Sequence, residues 1–266
     1  MYDSVHFSLY VTSEDLDCEA LKFMDRLSRV YFTILLSDFP VFLRDVLIET
    51  VLLKIITESG VLSGSTKISS PEKYFGLLIF WLIDPLDGTK EFINRNGEFT
   101  VNVALIENGN PILGVVSAPA LKEKYVGYSD HAYKLSPKGK VDISTKTQSL
   151  TTCCITLSKS HKSETDQVFI DICKEKFDSI VEIPTGSSLK LCRVAEGMAD
   201  IYTRLGPTYQ WDIAAGQAIV QAAGGVVNDL KGSNLRYEFV SETKNPMFFC
   251  AGDPTFKWLD VFDRLV

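Results

Sequence analysis

The stretch Trp81-Leu82-Ile83-Asp84-Pro85-Leu86-Asp87-Gly88-Thr89-Lys90-Glu91-Phe92 constrains this chain more than any other. The apolar run at residues 80–83 predicts a buried strand, and it ends at two aspartates. Pro85 fixes its own φ and pushes Asp84 towards an extended backbone. Gly88 permits a sharp turn where a side chain would obstruct. The strand therefore delivers the carboxylates of Asp84 and Asp87 and the carbonyl of Leu86 to one place, a set of hard oxygen donors suited to Mg²⁺. Thr89 opens a helical turn whose free N–H groups would face an anion. Metal ligands beside a phosphate cradle point to metal-assisted phosphate hydrolysis. An isolated D-P-x-D-G reads equally well as an Asp-Pro turn with a solvated carboxylate, so the rest of the chain decides.

At 266 residues and 45% hydrophobic, the chain can bury a sizeable core in one large domain or two smaller ones. Its net charge of −7 argues against a nucleic-acid partner or an anionic membrane surface. The six cysteines (Cys18, Cys153, Cys154, Cys173, Cys192, Cys250) show no C-x-x-C spacing. They read as thiols of a reducing compartment, which predicts a cytoplasmic location. Asp3 and His6 stand within the first residues, so no signal peptide is expected. The most apolar region, residues 31–56, carries Asp38, Arg44, Asp45, Glu49 and Lys54, so no membrane span is expected.

Thr12 or Ser13 caps an expected helix over residues 14–30. Residues 31–56 fit either a helix pair or a strand followed by a helix. Residues 54–60 read as a short strand, and 60–71, rich in Ser and Gly, as a surface loop. Beyond the central motif the pattern is β: strands at 99–106, 112–117, 125–128 and 131–135. The polar stretch 136–148 is the expected boundary between sub-domains 1–148 and 149–266. The second half alternates, with strands at 154–157, 179–183, 199–204, 226–230 and 247–251 and helices at 164–176, 187–196 and 212–223. That alternation predicts α/β architecture, a sheet covered by helices.

Three polar clusters punctuate the second half. In Trp211-Asp212-Ile213-Ala214-Ala215-Gly216, Asp212 occupies an expected N-cap, from which it can also reach a metal held by the first motif. Gly186-Ser187-Ser188-Leu189-Lys190 is a glycine-turn helix start suited to a phosphate or a ribose hydroxyl. Ser158-Lys159-Ser160-His161 closes a strand, and strand ends are where α/β folds gather ligands. The chain has no H-E-x-x-H, G-x-S-x-G or Walker loop, and only three histidines.

Read together, WLIDPLDGTKEFINRNGEFTVNVALI, GNPILGVVSAP, SKSH, GSSLKLCRVAEG and RLGPTYQWDIAAGQAIVQAAGG resemble, block by block and in order, the inositol monophosphatase superfamily. Within it they look most like the CysQ-type 3′(2′),5′-bisphosphate nucleotidases. The resemblance implies an αβαβα layered sandwich with the site between two sub-domains. It implies a Mg²⁺-dependent phosphomonoesterase with two or three ions, inhibited by Li⁺, and a nucleotide bisphosphate as its small-molecule partner. The implied reaction is 3′-phosphoadenosine 5′-phosphate to AMP and phosphate, by a monomer or homodimer.

By the same resemblance Asp84, Asp87, the Leu86 carbonyl and Asp212 would hold metal, and Gly88, Thr89 and Lys90 the scissile phosphate. VTSED matches the family's VTxAD block, which makes Asp15 the partner of Thr89 in orienting the attacking water. Where inositol monophosphatases carry a glutamate for inositol hydroxyls, this chain has Arg204, which favours a second phosphate by charge and bidentate geometry. Ser158, His161, Gly186, Ser187 and Lys190 complete the expected substrate contacts. The metal-bridging glutamate falls on Glu58 of IITES, and its distance to Asp84 (84 − 58 = 26) exceeds the family's. Two alternatives stay open: an inositol or fructose phosphate phosphatase, and a nucleotide-binding relative with a defective first metal site.

Overall fold

The computed structural model describes residues 60–63, 79–159, 163–238 and 244–262. Two sheets dominate them. The first runs β1 (Gly60–Ser63), β2 (Ile79–Asp87), β3 (Thr100–Glu107), β4 (Asn110–Ala118), β5 (Glu123–Tyr128), β6 (His131–Ser136) and β7 (Gly139–Asp142) in spatial as in sequence order. β1 lies parallel to β2, with Gly60 opposite Phe80, and every later pair is antiparallel. Short turns such as Asn108-Gly109, both residues at positive φ, produce this meander.

Two sequence expectations need correction here. Residues 60–63 form a strand rather than the start of a loop, because pairing with the edge of β2 outweighs a Gly/Ser-rich composition. β2 does not stop at Asp84 but continues through Asp87, with a register shift between the two. Pro85, which has no N–H to give the ladder, sits inside that irregularity. The polar stretch 136–148 contains β7, a short, fully exposed edge strand whose charges protect the sheet edge. The helix expected at 14–30 and both readings of 31–56 lie outside the described residues.

The second sheet has the order β11 (Val226–Asp229), β12 (Phe248–Ala251), β10 (Ile201–Arg204), β8 (Thr152–Ser158), β9 (Ser179–Thr185). β10, β8 and β9 are parallel, and β12 and β11 are antiparallel. The intervening helices are α2 (Glu164–Lys176), α3 (Leu189–Ala195), α4 (Gln210–Ala222) and α5 (Leu259–Phe262), after the short α1 (Thr89–Ile93). Ser163 starts α2 with a reciprocal box, accepting from Asp166 N while Asp166 accepts from Ser163 N.

Period-two alternation sends β10 and β12 of the second sheet into two cores. Tyr202, Phe248 and Cys250 join α3, α4 and the inner face of the first sheet, including Phe80, Leu82, Ala104 and Val116. Ile201, Phe249 and Ala251 face the other way, onto Phe169 of α2 and Phe262 of α5. The described layers are therefore sheet, helices, sheet, helices. The further helical layer expected of an αβαβα sandwich is not among the described residues.

α4 lies almost in contact with the first sheet. A Cβ at Gly114 would stand 2.1 Å from the Ala215 carbonyl oxygen, and one at Gly127 would stand 2.4 Å from Ile219 Cα. These two glycines, with the alanines of α4, let a helix backbone approach the sheet this closely and bring its first turn to the end of β2.

Candidate functional site

The site forms where β2 ends against the first turns of α3 and α4. Across the β2–β3 ladder Asp84 pairs with Asn102 and Asp87 with Thr100. The Asp84 carboxylate accepts from Leu86 N at 3.0 Å, which folds the Asp-Pro segment onto itself. Gly88, at φ 79°, then turns the chain into α1 without a side-chain cap. α1 therefore opens at Thr89 and Lys90, both exposed, without a side-chain cap on its first turn.

Asp212 arrives from the other side on α4. It is the third residue of the helix and not its N-cap, as the sequence had suggested; Tyr209 holds that place. Its carboxylate reaches back to accept from Tyr209 N at 2.8 Å, satisfying an N-terminal donor. It also acts on Asp84 from close by. Two neighbouring buried carboxyls resist joint ionisation, which favours a proton on one of them or a cation beside them.

The electrostatics agree. Burial, then the charge of Asp87, pushes Asp84 up to about 8, against the opposing N–H of Leu86. Burial, then Asp87, pushes Asp212 up to about 6, against the Tyr209 N–H, the Asp84 hydrogen bond and the Arg204 charge. Asp87 keeps some surface, but its carboxylate is enclosed, and burial raises it too. The Lys190 charge, the Ser188 N–H, the Asn102 amide and the Gly88 N–H pull Asp87 the other way.

α3 begins with Gly186-Ser187-Ser188 pressed onto this corner. Ser188 N donates to Asp87 Oδ2 at 2.6 Å, and Ser188 Oγ donates to Asn102 Oδ1 at 2.7 Å and lies 2.8 Å from Thr100 Oγ1. Ser187, at φ 46°, donates Oγ to the Glu98 carbonyl at 2.8 Å. Gly186 N donates to Glu98 Oε2 at 2.7 Å, and Lys159 pairs with the same carboxylate at 2.9 Å. A Cβ at Gly186 would stand 2.7 Å from Glu91 Cγ, so only glycine fits. Lys190 is buried, donates to the Ser187 carbonyl at 2.6 Å and carries its charge towards Asp87, Glu91 and Glu98 while burial lowers its pKa.

The structure thus brings together Asp84, Leu86, Asp87, Gly88, Gly186, Ser187, Lys190, Arg204 and Asp212. Arg204 ends β10, donates Nη2 to the Pro207 carbonyl at 3.2 Å and acts electrostatically on both Asp212 and Lys190. Ser158 ends β8 opposite Thr185, the residue before Gly186. Asp15, Glu58 and His161 lie outside the described residues. Sequence reading passed over Glu98, Thr100 and Asn102, and it took Ser188 as part of a phosphate-binding helix start rather than as a partner of Asp87 and Asn102. The signal for Thr100 and Asn102 was present: two polar residues at alternate positions on an otherwise apolar strand.

Among the described residues, no three His, Cys, Asp or Glu side chains already stand as a metal cage. The donor chemistry nevertheless fits a hard cation. Burial and the charge of Asp87 oppose the joint ionisation of Asp84 and Asp212, and a bound cation would relieve that opposition.

A model of the inositol monophosphatase family matches residues 45–248. Among curated proteins, the 3′(2′),5′-bisphosphate nucleotidase CysQ of Buchnera aphidicola is 47% identical over 165 residues, covering 61% of this chain and 59% of that protein. The CysQ of Escherichia coli K12 is 44% identical over 170 residues, covering 64% and 66%. The chain thus spans less than two thirds of the length of these relatives. The solved structure of CysQ from Bacteroides thetaiotaomicron, described as a bacterial member of the inositol monophosphatase family, superposes with a TM-score of 0.69 at 32% identity, covering 87% of this chain and 92% of that one. No helix among the described residues is long and apolar enough to cross a membrane.

Proposed function

Since this chain belongs to the inositol monophosphatase family, we propose that it is a phosphomonoesterase that removes the 3′-phosphate of 3′-phosphoadenosine 5′-phosphate, giving AMP and phosphate. The relatives that bear the name bisphosphate nucleotidase support this substrate class. The observation that carries it is Arg204, whose guanidinium acts on Asp212 at the edge of the carboxylate cluster. A fixed cation there suits a substrate with two phosphates better than a neutral polyol.

Asp84, Asp87, Asp212 and the Leu86 carbonyl would hold two or three Mg²⁺ ions, with Glu58 and Li⁺ inhibition part of the same proposal. Bound metal would supply charge stabilisation on the phosphoryl oxygens and a water of lowered pKa. The protein's own groups supply position. Thr89, flanked by Gly88 and Lys90, opens α1 without a side-chain cap and would face the scissile phosphate together with them. Thr89, with Asp15, orients the attacking water. Lys190 offsets the charge of Asp87 from within, and Ser188 fixes the direction in which that carboxylate points. Ser158, Ser187 and Gly186 would contact the substrate, and His161 belongs to the same proposal.

The division into sub-domains 1–148 and 149–266 belongs to this reading; the first sheet ends at Asp142 and the second begins at Thr152. The unpaired cysteines at 153, 154, 173, 192 and 250 support a reducing compartment such as the cytoplasm.

Arg204→Glu tests the substrate assignment. Hydrolysis of the bisphosphate should fall by at least tenfold more than that of a simple phosphate monoester, because a charge pair is replaced by repulsion. Equal losses on both substrates would remove Arg204 from the substrate side.

A further inference from the structure

Tyr209 and Trp211 stack with ring centroids 4.9 Å apart and planes 6° from parallel. Tyr209 is 42% exposed and Trp211 half-buried, so the pair forms a flat aromatic surface open to solvent. Its position is fixed. Tyr209 N donates to Asp212 Oδ2 at 2.8 Å, the Tyr209 carbonyl accepts from Asn245 Nδ2 at 2.7 Å, and the Tyr209 backbone bridges to Lys244. Among the described residues, no further ring lies against either member of the pair.

Tyr209 takes no part in the buried core. The buried cluster around α4 is built from Ile213, Ala214, Ala215, Ile219 and Val220, with Trp211 packed only partly against it. Tyr209 therefore leaves a large apolar face in water, one hydrogen bond from a residue of the candidate metal site. A held aromatic face of this kind is a stacking surface for another flat π-system, and tyrosine has few rotamers to lose on binding.

We propose that the Tyr209–Trp211 pair is the base-binding platform of this site, taking the purine ring of a nucleotide whose phosphates lie towards Asp84, Asp212 and Arg204. The inference rests on the bisphosphate-nucleotide reading and adds to it the residues that recognise the base. Aromatic stacking reads the π-face and not the base edge, so adenine and guanine nucleotides gain alike. A sugar phosphate without a base gains nothing from the platform.

The test is a fluorescence titration of the full chain, in Mg²⁺, with AMP and with ribose 5-phosphate. Trp81 and Trp258 are 0% and 2% exposed, so quenching by ligand reports on Trp211. AMP should quench and bind on the order of tenfold tighter than ribose 5-phosphate. Tyr209→Ala should abolish that difference, and Tyr209→Phe should keep it. In turnover, Tyr209→Ala should raise KM for the nucleotide bisphosphate about tenfold with little change in kcat, and should leave an abasic ribose bisphosphate unaffected. Equal affinity of the wild-type chain for AMP and ribose 5-phosphate overturns the platform. So does a Tyr209→Ala loss of the same size on nucleotide and abasic substrates, which marks a structural role. If the wild-type chain hydrolyses neither bisphosphate but still prefers AMP through Tyr209, the platform stands and the hydrolytic reading fails.

Discussion

Ser188 donates its backbone N–H to Asp87 Oδ2 at 2.6 Å across 101 positions of sequence. The bond ties a carboxylate on the first sheet to a helix start that follows the second sheet's β9. The Ser188 hydroxyl extends the tie to Asn102 and Thr100. Ser188→Ala keeps the N–H but strands two buried polar partners, so stability should fall by roughly 1–3 kcal/mol in urea unfolding. Mg²⁺ affinity should fall with it, because Asp87 loses the network that aims it.

Lys190 is the buried cation of the site, and Asp87 is the first charge that sustains it. Removing one member of a buried pair leaves the other uncompensated, so Lys190→Met should cost roughly 3–5 kcal/mol. Saturating Mg²⁺ should recover part of that loss by replacing the missing positive charge. Lys90→Met, on the exposed start of α1, should change stability by no more than about 0.5 kcal/mol.

The raised carboxyl pKa values predict a stability that depends on pH. Asp84 moves from 3.8 to about 8 and Asp212 from 3.8 to about 6. The folded chain therefore holds protons that the unfolded chain has released. This stabilisation is full below pH 3.8, declines as pH rises, and is gone once pH passes about 8. In EDTA, the melting temperature should therefore fall between pH 5 and pH 8 through these two groups. Mg²⁺ should raise it more at pH 8 than at pH 5. A metal-free melting temperature that rises steadily across the same window would contradict the raised carboxyl pKa values.

Asp84→Asn preserves a donor towards Asp212 and keeps the shape of the pair. The fold should persist while Mg²⁺ binding by calorimetry and Mg²⁺-dependent turnover are lost. Asp212→Asn should do the same. Near-normal turnover in either variant would remove that residue from the metal site.

Gly186→Ala would place a methyl group 2.7 Å from Glu91 Cγ and 2.9 Å from the Glu98 carbonyl oxygen. The loop must shift, at a cost of about 1–3 kcal/mol for overpacking. Because Ser188 follows two residues later, turnover should fall by more than the stability loss alone implies.

Much of this was legible in the residues. The strands and helices of the second half fall within a few residues of their expected limits, because Gly, Pro and capping residues punctuate a strong alternation. Asp84, Asp87 and Asp212 could be found because proline, glycine and a small-residue helix mark their surroundings. What escaped was non-local. Composition hid β1, whose pairing depends on the edge of β2. Asp212 looked like a cap, since sequence does not say that Tyr209 takes that place. The Ser188 link and the burial of Lys190 follow from how α3 meets the end of β2, which no local pattern encodes.

The most direct measurement is phosphate release by the purified chain from 3′-phosphoadenosine 5′-phosphate, inositol 1-phosphate and fructose 1,6-bisphosphate, with Mg²⁺ and with EDTA. The account predicts release from the first in preference to the other two, abolished by EDTA. Preference for inositol or fructose phosphate would contradict the role given to Arg204. No release from any of the three, by a chain shown to be folded, would contradict the central claim and leave a nucleotide-binding relative without turnover.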